Sequence, residues 1–80
     1  MQKKKRMKRY GNLHGNSGIA AYEAGSNFIR IQFTSGSIYL YTYESAGEDD
    51  IEEMKELAKG GEGLTRFIND FQPGYASRER

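Results

Sequence analysis

One stretch, Ile29 to Tyr43, limits what this chain can fold into more than any other. Ile29, Ile31 and Phe33 alternate with Arg30, Gln32 and Thr34, the period of a half-buried antiparallel strand. Ser35-Gly36 follows, and then Tyr39, Tyr41 and Tyr43 stand at every second residue. Two alternating runs around a Ser-Gly pair predict a β-hairpin with a row of aromatic rings.

The turn decides which face the rings take. A two-residue loop would pair Phe33 with Ile38 and put the tyrosines beside Arg30 and Gln32, as an open stacking platform. A three-residue loop, Thr34-Ser35-Gly36, would pair Ile31 with Tyr39 and send the rings to the core with Ile29, Ile31 and Phe33. A one-residue change of register swaps the faces. A two-residue type I′ loop needs positive φ at both central positions, where Ser is poor. The bulged three-residue loop needs it only at Gly36. Turn chemistry therefore favours the second register, with core packing ahead of stacking for the tyrosines.

The rest of the chain is arranged around this hairpin. Ser17 to Glu23 reads as a weakly apolar edge strand, with Ile19 and Ala21 on one face and Ala20 and Tyr22 on the other, and Ala24 to Asn27 as a turn. Helix signals begin at Ser45, where Ser45-Ala46-Gly47-Glu48 fits a capping box. Ile51, Met54, Leu57 and Ala58 form an apolar stripe, and Gly60 suits a left-handed stop. Acids crowd the first turns, where the helix dipole favours them. A solvated helix face explains them better than a divalent-ion site, because a continuous helix points its carboxylates outward. A second helix runs from Leu64 to Phe71, with Leu64, Phe67, Ile68 and Phe71 on one stripe, and Gln72-Pro73-Gly74 stops it. The expected fold is α+β: a three-stranded antiparallel β-meander followed by two helices packed on one face, in the order β-β-β-α-α.

Charge divides the chain. Residues 1–10 carry Lys3, Lys4, Lys5, Arg6, Lys8 and Arg9 and no acid, for a charge of +6. The remaining residues carry −5, for a net charge of +1. The expected organisation is a basic disordered arm over 1–16, one domain over 17–72 and a disordered polar tail over 73–80. With 80 residues the core must be small, and with no cysteine neither a disulfide nor a thiolate site supports it. That composition fits a reducing, cytoplasmic setting. No run approaches the roughly 18 apolar residues of a membrane span, and no apolar segment of a signal peptide follows the basic start.

The strand of Ile-x-Ile-x-Phe form, the Ser-Gly turn, Tyr39-Leu40-Tyr41 and a Gly-rich break before Leu64-Thr65-Arg66-Phe67-Ile68 resemble the KTSC domain. That family is a short module found at the C-terminus of some lysyl-tRNA synthetases and as a free-standing bacterial protein. Ser17-Gly18-Ile19 with Tyr22 is similar to its opening strand. Its mark is a central Tyr-x-Tyr, and the resemblance covers about residues 17–71. Two positions depart from it: Glu44-Ser45 replaces a common Val-Pro, and Leu40 stands where a polar or basic residue is usual. The association with a tRNA synthetase implies RNA binding.

The residues argue against catalysis. One His, no Cys, no phosphate loop after a strand and no base beside a Ser or Thr leave no catalytic constellation and no expected cofactor. The leading expectation is a non-enzymatic module that binds RNA or another nucleic acid. Lys3, Lys4, Lys5, Arg6, Lys8 and Arg9 would neutralise phosphates, and Tyr39, Tyr41 and Tyr43 would stack on bases with Arg30 nearby. The alternative is a protein partner or a second copy, met through a sheet edge or the acidic helix, with the chain a monomer or weak dimer.

Overall fold

The computed structural model describes residues 7–11 and 18–79. The fold is α+β, with a five-stranded antiparallel sheet in the order β1-β2-β3-β4-β5. The strands are β1 (Lys8–Arg9), β2 (Ile19–Ala24), β3 (Phe28–Phe33), β4 (Ile38–Thr42) and β5 (Ser77–Glu79). The helices α1 (Tyr43–Ala46), α2 (Glu48–Gly60) and α3 (Leu64–Phe71) come between β4 and β5. Ile29, Ile31 and Tyr41 of the sheet pack with Ile51, Met54, Ala58 and Leu64 of the helices in one buried cluster. Among the described residues no helix is long and apolar enough to cross a membrane.

The hairpin takes the bulged three-residue loop. Ile31 stands opposite Tyr39 and Ile29 opposite Tyr41. The Phe33 N–H donates to the Ser37 carbonyl at 2.9 Å, and the Gly36 N–H to the Phe33 carbonyl at 2.8 Å. Gly36 has φ +100°, a conformation that costs a side-chain-bearing residue strain. This register puts Tyr39 and Tyr41 on the helix side. Arg30, Gln32, Ile38 and Leu40 take the other.

The expected three strands become five. The segment read as a disordered arm contributes β1, which pairs Lys8 with Tyr22 and Arg9 with Ala21. Tyr10 then enters the core at 3% exposure, and its hydroxyl accepts the Leu64 N–H at 3.3 Å. The tail expected to be disordered over 73–80 contributes β5, which pairs Ser77, Arg78 and Glu79 with Leu40, Tyr39 and Ile38. Both strands are short and polar, so the strand they join, not their own composition, orders them. Lys3, Lys4, Lys5 and Arg6 lie outside the described residues.

In β2 the register shifts between Ile19 and Ala21, a β-bulge at Ala20. Ile19 and Tyr22 therefore share the buried face, rather than Ile19 with Ala21. The capping box sits three residues earlier than expected: Ser45 N–H donates to Thr42 Oγ1 at 3.0 Å, and Thr42 N–H donates to Ser45 Oγ at 2.9 Å. That box opens the one-turn α1, and Gly47 at φ +96° separates it from α2. The left-handed stop of α2 is Gly61, with Gly60 still helical. The boundaries of α3 agree with the sequence reading.

A candidate aromatic cleft

The segment after α3 builds the site. Gln72 turns the chain at φ 47°, and Pro73 is buried. The Ser45 hydroxyl donates to the Gly74 carbonyl at 2.8 Å, and a Cβ at Gly74 would run into the Ser45 carbonyl. Two residues on, the Ala76 N–H donates to the Leu40 carbonyl at 2.6 Å. These contacts fix residues 73–79 as a strap along β4 and set Tyr75 over the hairpin tyrosines.

The rings form a connected set. Tyr75 meets Tyr39 edge-on at 4.8 Å between centroids and Tyr41 at 6.4 Å. Tyr39 and Tyr41 lie nearly parallel, 17° apart in plane with centroids 6.3 Å apart. Phe33 meets Tyr39 edge-on at 5.3 Å. Between this sheet surface and the end of α3 lies an open cleft of about 370 Å³, to which Ile68, Asn69, Gln72 and Pro73 also contribute. Its lining holds rings, two amides and a serine but no carboxylate. Beside the cleft, the Arg78 guanidinium carbon is 5.7 Å from the Tyr39 centroid. Tyr75 is 50% exposed, and Phe71, which packs on Phe67 at 4.8 Å, is 66% exposed.

Electrostatics separates two of the tyrosines. Burial pushes the Tyr41 hydroxyl up to about 12, with neighbouring Tyr39 and Tyr75 adding to the shift. Tyr43 reaches about 12 for another reason: its hydroxyl donates to the Glu52 carboxylate at 2.6 Å, which favours the protonated phenol. Hydrogen bonds from Lys55 first, and then Tyr43, hold Glu52 below the usual carboxylate range. Lys55 also donates to the carbonyls of Gly25 and Ser26 at 2.9 and 3.2 Å, tying α2 to the β2–β3 turn.

The expected site residues are dispersed. Tyr39 is half-buried in the cleft wall, and Tyr41 lines the cleft at only 3% exposure. Tyr43 leaves the row because α1 begins there. Arg30 lies on the opposite sheet face, bound to Glu23 at 3.2 Å and Glu79 at 3.3 Å. Lys8 and Arg9 are exposed on β1, at the edge far from β5. The row of three tyrosines with Arg30 is therefore not one surface. Tyr75, Arg78, Asn69 and Gln72 were missed by the sequence reading. Tyr75 gave one signal, as an aromatic in a polar tail just past a Pro-Gly stop.

Among the described residues no group of three or more His, Cys, Asp or Glu is placed to hold a metal. In comparisons with known proteins, no family model, no curated protein and no solved structure matched the chain.

Proposed function

We propose that this chain is a small, non-enzymatic binding module that holds single-stranded RNA, with one base against Tyr39 and Tyr75 in the cleft. The observation that carries the reading is the cleft lining: aromatic rings and the amides of Asn69 and Gln72, with no carboxylate, in a chain of eleven acids. Rings offer stacking surfaces, worth about 1–3 kcal/mol per base, and amides can read base edges. The basic run over residues 3–9 supplies a phosphate-binding arm whose contribution falls with salt. The KTSC-like residues support the same reading by resemblance. The absence of cysteine fits a cytoplasmic setting, and a monomer or weak dimer follows from edge strands only two and three residues long that carry the charged side chains Lys8, Arg9, Arg78 and Glu79.

The test is a titration of fluorescently labelled single-stranded RNA with the full chain at low and moderate salt. Binding is expected at low salt, weaker at moderate salt, and about tenfold weaker for Tyr75→Ala. No binding at low salt rejects the reading. Undiminished binding by Tyr75→Ala moves RNA away from the cleft and onto the basic arm.

A further inference from the structure

We infer that Arg78 is a phosphate clamp, stacked on Tyr39 when the cleft is empty and released to a nucleotide phosphate when a base takes that ring. The inference rests on the cleft being a nucleic-acid site, and it names the ligand unit as base plus phosphate rather than base alone. Charge accounting singles Arg78 out. Among the described cations, ion pairs hold Arg30, Lys55, Lys59 and Arg66. Lys8 and Arg9 sit at the far edge of the sheet. Arg78 makes no ion pair with a described residue, and at the cleft its guanidinium lies over the Tyr39 ring.

The carboxylate nearest in sequence is kept away from it. Glu79 points to the other face and is bound to Arg30 at 3.3 Å. An exposed cation–π contact is weak, so a base with its larger flat surface can displace the guanidinium by side-chain rotation alone. The freed guanidinium is a planar fork of donors suited to two phosphate oxygens. A base on Tyr39 places its own phosphate at the cleft rim, where β5 carries Arg78.

The test is an NMR titration of the full chain with uridine, uridine 5′-monophosphate and hexauridylate, following the Tyr39 ring and the Arg78 Nε–H. The monophosphate is expected to bind at least fivefold tighter than uridine at low salt and to shift the Arg78 signal. Arg78→Gln is expected to abolish that preference and to lower the salt slope for hexauridylate by about one. Arg78→Lys should restore part of both. Equal binding of uridine and its monophosphate, or a preference or salt slope unchanged in Arg78→Gln, overturns the clamp. If hexauridylate binds at Tyr39 while those signs are missing, only the clamp falls. If neither hexauridylate nor the monophosphate binds, the clamp and the RNA reading both fall. A monophosphate that binds in preference to uridine and as tightly as hexauridylate supports the clamp and makes the free nucleotide the ligand.

Discussion

Ser45 and Gly74 are 29 residues apart in sequence, and the hydroxyl of one donates to the carbonyl of the other at 2.8 Å. The same hydroxyl oxygen accepts the Thr42 N–H at 2.9 Å, so a helix cap and the strap over the aromatic cleft share one side chain. Ser45→Ala is expected to cost about 1–2 kcal/mol by denaturant titration. It should also speed hydrogen exchange at the Ala76 amide, which the strap holds on Leu40. Gly74→Ala should loosen the strap further, since its Cβ meets the Ser45 carbonyl. Near-UV circular dichroism of the tyrosines reports that loosening, and an unchanged spectrum would contradict it.

Tyr10 separates a tail from a structural element. Tyr10→Phe keeps the ring but leaves the buried Leu64 N–H without its 3.3 Å acceptor, at an expected cost of about 1–3 kcal/mol. Tyr10→Ala should cost about 3 kcal/mol or more by emptying a core position. Deleting residues 1–10 should lower the unfolding midpoint by more than deleting 1–6, because only the longer deletion removes β1 and Tyr10. Equal midpoints for the two deletions would show that β1 and Tyr10 add nothing.

Gly36 holds the hairpin register at φ +100°. Gly36→Ala is expected to destabilise the fold by about 1–2 kcal/mol through backbone strain, with an unchanged denaturant slope. No loss of stability would mean that the loop adopts another turn.

The raised pKa of Tyr41 sets a pH window. The folded state holds this proton up to about pH 12, while the unfolded chain releases it near 10. Between those values the unfolded state binds fewer protons, so stability falls as pH rises. The contribution is fully present below pH 10. Absorbance titration of the phenolates should show a step near pH 12, with one equivalent lost in Tyr41→Phe and one in Tyr43→Phe. Tyr41→Phe should also flatten the fall in stability over that window.

Elements with a strong local signal were legible in the sequence. The alternation of Ile29, Ile31 and Phe33 and the single glycine at position 36 determine the hairpin and its faces. The stripe from Leu64 to Phe71 marks α3 to the residue. What stayed hidden depends on partners distant in the chain. Lys8–Arg9 and Ser77–Glu79 have no strand pattern, and they pair because β2 and β4 offer them unpaired edges. The bulge at Ala20 has no glycine to announce it, yet it turns Tyr22 inward. The cleft was obscured for the same reason: its walls come from β4, α3 and a strap more than thirty residues beyond the hairpin turn.

The placement of β1 and β5 has a consequence for colloidal behaviour. They occupy the two margins of the sheet, and they bring charged side chains, Lys8 and Arg9 on one and Arg78 and Glu79 on the other, to boundaries that would otherwise present the apolar strands β2 and β4. Trimming either segment as dispensable would open a backbone ladder able to recruit further copies. Turbidity over time at high concentration would reveal this before any loss of folded signal. Two short polar stretches with no strand pattern of their own thus form both margins of the sheet.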